Sequence, residues 1–216
     1  MVQLPFADRS EAGRALAAEL GRRKFKGSLI VLALPRGGLP VGLEVAKALG
    51  APLDVVMVRK LGVPWQPELA MGAVAGGSFQ TIDEELIAEL DIPRKQVDAA
   101  IARERAEIAR REKLYRGDRC ALDLRNRTVI LVDDGLATGS TMVVAARFVR
   151  SLKPRKTIVA VPVGSVEACG WLKKEVGDCI CLATPQPFSA VGLWYTDFRQ
   201  VTDAEVRRCL LQAQPE

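Results

Sequence analysis

Two adjacent carboxylates, Asp133 and Asp134, stand directly ahead of a stretch dominated by small and hydroxylated residues: Gly135, Ala137, Thr138, Gly139, Ser140 and Thr141. Before them, Val129 to Val132 form a continuous apolar run that suits a strand buried on both faces of a parallel sheet. After them, Met142 to Val149 carry the apolar pattern of a helix. A strand that feeds a small-residue loop and then a helix leaves several backbone N–H groups free to converge on an anion. The hydroxyls of Thr138, Ser140 and Thr141 add donors, and the glycines allow a ligand close to the backbone. The two acids would repel a phosphate if they faced it. They read instead as acceptors for hydroxyl groups, such as the vicinal hydroxyls of a sugar. The composite ligand is a sugar phosphate.

A second candidate loop follows an earlier apolar run: Leu34-Pro35-Arg36-Gly37-Gly38. Arg36 offers a fork of donors, while Gly37 and Gly38 let amides turn toward an anion. In an open parallel sheet, ligands gather at the carboxyl ends of strands where connections diverge. Both loops leave strand carboxyl ends, so both can face one ligand.

The run VILVDDGLATGST resembles the phosphoribosyl pyrophosphate motif of type I phosphoribosyltransferases. That resemblance implies that Asp133 and Asp134 hold the ribose hydroxyls, with Gly135 in the same loop and Ala137 to Thr141 around the 5-phosphate. It makes the PRGG segment a pyrophosphate loop, and Leu61 to Met71 the mobile catalytic loop that excludes water. Arg59 and Lys60, read as the carboxyl end of the second strand, would neutralise the departing pyrophosphate. The implied reaction moves ribosyl 5-phosphate from phosphoribosyl pyrophosphate to a nitrogen nucleophile, a nucleobase by expectation, and releases pyrophosphate. Magnesium (Mg2+) would be held mainly by substrate oxygens, so no protein ligand is named. The alternative is a non-catalytic regulator of the same fold that senses phosphoribosyl pyrophosphate or a nucleotide.

The chain has no histidine, which restricts acid–base chemistry. In the 6-oxopurine branch of the resembling family, an acid stands two residues before the loop glycine; here that position is Ala137. The motif is closer to the adenine branch, where a loop glutamate serves, and Glu68 is the best-placed candidate. Glu84 and Glu85 are inferior alternatives because they begin a helix. The resembling family selects its acceptor with a variable hood built from the chain ends. Phe188, Trp194 and Tyr195 could stack on a planar heterocycle there, with Asp197 reading its edge. Equally, these rings could close a small core.

These residues need a frame, and the pattern supplies one by alternating strand and helix. Helices are expected over 8–20, 40–49, 83–90, 93–115, 141–152, 165–175 and 202–212, and strands over 28–34, 53–58, 128–132, 157–162 and 178–182. The segment 61–77, rich in Gly and Pro, should contain a loop and a short hairpin. Repeated strand–helix order argues for an α/β fold: a parallel sheet covered on both faces, with a small hood subdomain. We expect one domain over 1–216, with a core at 28–182, a hood from 1–27 and 183–216, and a helical insertion at 83–119. That insertion has no counterpart in compact family members and could serve as a lid or a homodimer surface.

At 216 residues and 49% hydrophobic, the chain can bury a large core. No apolar run approaches a membrane span and the first residues lack signal-peptide character, so a cytoplasmic location is expected. The net charge of +5 gathers around Arg94 to Arg119, where acids intervene at helical spacing. This mixture reads as a solvated face; with no interleaved aromatics, nucleic acid is not the expected partner. The five cysteines match no zinc or redox spacing and read as reduced thiols, Cys179 and Cys181 pointing to opposite faces of a strand.

Overall fold

The computed structural model describes residues 2–213. Five parallel strands form the main sheet: β1 (Leu29–Ala33), β2 (Leu53–Val55), β6 (Thr128–Val132), β7 (Lys156–Val163) and β8 (Cys179–Ala183), in the order β2-β1-β6-β7-β8. A separate antiparallel sheet holds β3 (Val58–Val63), β4 (Gln66–Ala75) and β5 (Gln80–Ile82). The helices are α1 (Arg9–Gly21), α2 (Gly38–Leu49), α3 (Glu84–Glu89), α4 (Arg94–Arg116), α5 (Ser140–Ser151), α6 (Val166–Val176) and α7 (Asp203–Gln212).

Burial along the central strands shows why they are apolar without interruption. Val31, Ala33, Ile130, Val132, Ile158 and Ala160 point into one core. Their neighbours Ile30, Leu32, Val129, Leu131, Val159 and Val161 point into the other. Side chains alternate across a strand, so a strand covered on both sides must be apolar at every position. Helices α1, α2 and α7 supply the first core, and α5 and α6 the second.

The helix ends follow local chemistry. Asp8 caps α1 by accepting from the Glu11 amide at 2.7 Å, and Ser165 caps α6 at the Ala168 amide. Thr202 and Glu205 complete a capping box on α7. Gly50 ends α2 in the left-handed region at φ 59°, a conformation that glycine enters without steric cost.

Two sequence expectations need correction. The expected second strand divides: β2 stops at Val55, and the buried Val56 and Met57 lead into β3 of the other sheet. Hydrophobicity is continuous from Val55 to Val58, so it concealed the change of sheet. Arg59 and Lys60 therefore lie within a hairpin strand and do not end a strand of the parallel sheet. Cys179 and Cys181, two residues apart in β8, face the same side, as a period of two requires. The 83–119 segment is helical as expected. Its α4 packs against the hairpin strand β3 and against α7, burying Val97, Ala100, Ile101, Ile108 and Tyr115.

Candidate active site

Strand order reverses between β1 and β6: the chain runs outward to β2 on one side and to β7 and β8 on the other. The loops after β1 and β6 leave the sheet side by side at this switch point, where open α/β sheets hold ligands. Their contact is close enough to dictate residue type. A Cβ on Gly37 would collide with the Asp134 carboxylate, and one on Gly38 would sit 2.9 Å from the Val132 carbonyl oxygen. Gly135 faces Val191 equally closely, with 2.5 Å between an ideal Cβ and a Val191 methyl.

The two acids are held differently. Asp133 accepts from the Asp134 amide at 2.9 Å. Asp134 accepts from Arg9 Nε at 2.8 Å, and its backbone carbonyl accepts from the Tyr195 hydroxyl at 2.6 Å. Arg9 also donates to the Arg199 carbonyl at 2.9 Å, and its guanidinium lies 3.9 Å from the Phe198 ring centre. Burial, with the charge of Asp134 beside it, pushes Asp133 well above the usual carboxylate range. Asp134 is also pushed up by burial, against the opposing pull of Arg9. Nothing in the sequence marks Arg9 as part of this group. It opens a helix far upstream and reaches the acids only through the tertiary fold.

Beyond the acids, Gly139 precedes α5 at φ 76° with no side chain capping the helix. The first turn therefore presents unsatisfied N–H groups and the positive end of the helix dipole. The Thr138 and Ser140 hydroxyls lie 3.2 Å apart on the rim. Ser165 braces the loop from behind, donating from Oγ to the Ala137 carbonyl at 2.9 Å. Together, Ala137 to Thr141 have the geometry of an anion cradle.

The cationic end is less committed. Lys60 is exposed and lines a cavity of about 640 Å³ with Glu84, Glu85, Ser140, Arg147 and Trp171. Arg59, expected beside it, turns the other way and pairs with Glu104 of α4 at 2.8 Å. Burial pushes Glu104 up, yet hydrogen bonds from Arg59 and Arg103 hold it below its ordinary range. Arg36 lies 3.8 Å from Asp203 at the start of α7. Glu68 is exposed on β4 and does not line the Lys60 cavity, whereas Glu84 and Glu85 do.

The aromatic residues divide in the same way. Tyr195 is 5% exposed, packs on Phe6 and fastens Asp134, so it shapes the site from within and has no face free for a heterocycle. Phe188 and Trp194 stack on each other with centroids 6.3 Å apart. Phe188 lines a cavity of about 480 Å³ with Ala137, Thr138, Ser165 and Trp171. Asp197 is exposed and accepts from the Arg199 amide. Trp171, which no motif or spacing singles out, is 40% exposed and borders the cavities on both sides of the Ala137–Ser140 loop.

The family pattern described as the phosphoribosyl transferase domain matches residues 8–191. The chain belongs to the phosphoribosyl transferase family. The crystal structure of TT1426 from Thermus thermophilus is 40% identical with a TM-score of 0.85, covering 98% of this chain and 100% of that one. A Mycobacterium tuberculosis relative, named "Putative phosphoribosyl transferase Rv0571c", is 41% identical over 201 residues. That match covers 93% of this chain but 45% of the relative, so the chain spans less than half the length of the curated relatives it matches. A Neisseria gonorrhoeae protein solved with bound ppGpp shares the fold at 14% identity, with a TM-score of 0.54 and 99% of both chains covered. In this phosphoribosyl transferase domain the two switch-point loops lie at the carboxyl ends of β1 and β6, with the acid pair between them. Among the described residues no helix is long and apolar enough to cross a membrane.

Proposed function

We propose that this domain binds phosphoribosyl pyrophosphate and transfers its ribosyl 5-phosphate to a nitrogen nucleophile, a nucleobase by class, releasing pyrophosphate. The observation that carries this reading is the packing of the Asp133–Asp134 pair against the Arg36–Gly38 loop, beside the uncapped start of α5. In this reading Asp133 and Asp134 accept from the ribose hydroxyls, and the amides of Ala137 to Thr141 hold the 5-phosphate. Lys60 and Arg36 receive the pyrophosphate. Arg59 assists from the same strand as Lys60 only when it leaves Glu104.

As the bond between the sugar carbon and the pyrophosphate oxygen breaks, positive charge develops on the sugar and negative charge on the leaving group. Fixed dipoles and cations placed for those charges lower the barrier. The nucleophile's nitrogen then bonds to the sugar carbon and loses its proton, which Glu68 receives when the β3–β4 hairpin closes. Phe188 and Trp171 supply the apolar walls against which a planar acceptor would lie, and Trp194 supports Phe188 from behind. Asp197, exposed three residues after Trp194, would read the edge of that acceptor.

Magnesium belongs to this reading as part of the substrate. Among the described residues no group of three His, Cys, Asp or Glu side chains is placed for a metal ion. An ion carried by pyrophosphate and ribose oxygens would need only the neighbouring acids. It would supply charge neutralisation at the leaving group.

The test is a screen of nucleobases for pyrophosphate release with magnesium and phosphoribosyl pyrophosphate. Turnover with one base establishes the transferase. A second reading, a sensor of phosphoribosyl pyrophosphate or a nucleotide, draws on the engagement of Arg59 with Glu104 and of Arg36 with Asp203. Tight binding with no turnover across the screen would decide for the sensor.

A further inference from the structure

Cys169 of α6 and Cys181 of β8 approach one another beside Gly164, with Cys179 two residues before Cys181 on the same strand. The space they share exists because residue 164 is glycine: an ideal Cβ there would lie 2.8 Å from the Cys169 sulfur and 3.4 Å from the Cys181 sulfur. Cys181 also directs its thiol to the Ala183 carbonyl at 3.2 Å. All three are unbridged and half-buried, packed at the edge of the second core. Among the described residues no other thiols are grouped in this way; Cys120 is exposed and Cys209 is buried elsewhere.

We propose that Cys169, Cys179 and Cys181 are a reversible oxidation site, in which a hydroperoxide converts Cys169 to a sulfenic acid that a β8 thiol resolves as a disulfide between α6 and β8. The Cys169 thiolate attacks the terminal peroxide oxygen. The O–O bond breaks, and hydroxide (or alkoxide, from an organic peroxide) departs and takes a proton. The Cys181 sulfur, giving up its proton, then attacks the Cys169 sulfur; the S–O bond breaks and water leaves. Two thiols lose two electrons in total, and the peroxide is reduced by two.

The local chemistry suits these roles. The neighbouring Cys179 and Cys181 thiols favour the Cys169 thiolate and bring its pKa down to about 4, against the effect of burial. The nearness of Cys169, together with burial, pushes Cys179 and Cys181 up. One sulfur is thus the nucleophile while its neighbours stay protonated until needed. Three thiols also suggest a soft metal, but no group of three ligating side chains among the described residues is placed for one. Bond formation between sulfurs fits the arrangement better.

The site has a direct route to the sugar-phosphate loop. Cys169 donates its amide to the Ser165 carbonyl, and the Ser165 hydroxyl holds the Ala137 carbonyl. Fastening α6 to β8 therefore restrains the helix that braces the anion cradle.

The experiment treats the intact protein with a small molar excess of hydrogen peroxide, alkylates the remaining thiols and maps tryptic peptides by mass spectrometry. Lys173 and Lys174 separate Cys169 from Cys179 and Cys181, so a disulfide across them joins two peptides. We expect that joined pair to form first, to disappear with dithiothreitol, and to be lost in Cys169→Ser while Cys120 still alkylates normally. Cys181→Ser should slow its formation at least tenfold and let dimedone trap the Cys169 sulfenic acid. Prior oxidation of Cys120, a joined pair that survives Cys169→Ser, or conversion of Cys169 to sulfinic acid with no crosslink would each overturn the proposal. The wild-type map alone decides if a variant fails to fold. The readout is covalent and independent of any transferase activity.

Discussion

The proposed sugar end and the proposed leaving-group end of the site are built to different standards. Around the acid pair, a guanidinium, a phenol hydroxyl and two glycine backbones close in from three parts of the chain, all packed against a buried sheet. Around Lys60, the supporting element is a hairpin whose tip carries an exposed Trp65, and the neighbouring Arg59 has taken another partner. A site that must recognise one sugar gains from rigid acceptors, because ordering costs are met on folding and not on binding. A site that must release pyrophosphate gains from groups that can withdraw.

This contrast can be broken most directly at the acids. Asp133→Asn with Asp134→Asn should abolish affinity for phosphoribosyl pyrophosphate while circular dichroism remains native; unchanged affinity by calorimetry would remove the acids from the site. Asp133→Asn alone should raise Tm at neutral pH. Its folded pKa is raised by burial, so the stability it contributes is full below the unfolded value and lost as pH rises through the folded one. The gain in Tm over wild type should therefore shrink as pH falls.

Arg9→Ala tests the rigid end from the other side. Arg9 is 9% exposed, and removing one partner of a buried pair costs about 3–5 kcal/mol. Urea unfolding should show that loss; a change below about 1 kcal/mol would place the pair among weak surface contacts. At the proposed leaving-group end, Lys60→Ala should weaken pyrophosphate binding by about 1.5–3 kcal/mol, roughly ten- to a hundredfold, and ribose 5-phosphate binding far less. Arg36→Ala should follow the same pattern. Equal losses for both ligands would deny selectivity to the cations. Glu68→Gln should have the smallest effect on substrate affinity, since the residue stands away from the cavity. With an acceptor bound it should lower turnover about 10²–10⁴-fold, and near-normal turnover would leave the hairpin a cover only.

The same contrast governs what could be read from the sequence. Asp133 to Thr141 declared themselves because strand, acids, loop and helix follow one another along the chain, and local order is what periodicity and capping record. The α4 helix was legible for the same reason. Arg9 was not, since its role depends on a contact with Asp134 across the fold. Arg59 was misplaced because the apolar residues 55–58 run through a change of sheet without a polar break. Tyr195 could be recognised as an aromatic near the site. Whether its ring or its hydroxyl mattered was settled by Phe6, which comes from the opposite end of the chain.

That meeting of distant segments sets an order of assembly. Phe6 bridges to Tyr195, and Arg9 reaches the Arg199 carbonyl across 190 residues of sequence. Contacts of such separation carry a high loop-closure cost and form slowly unless the intervening chain has already folded. The parallel strands, paired at shorter range, can register first, and the collar around Asp134 then closes on a finished sheet. Local opening should reverse that order: amides of Thr196 and Asp197, bonded to Phe6 and Ala7, should exchange with deuterium at lower free energy than those of Val129 to Val132. A sugar phosphate seated on the acids would then slow exchange at Thr196 and Asp197 in particular, so occupancy of the site would be registered where the two ends of the chain meet.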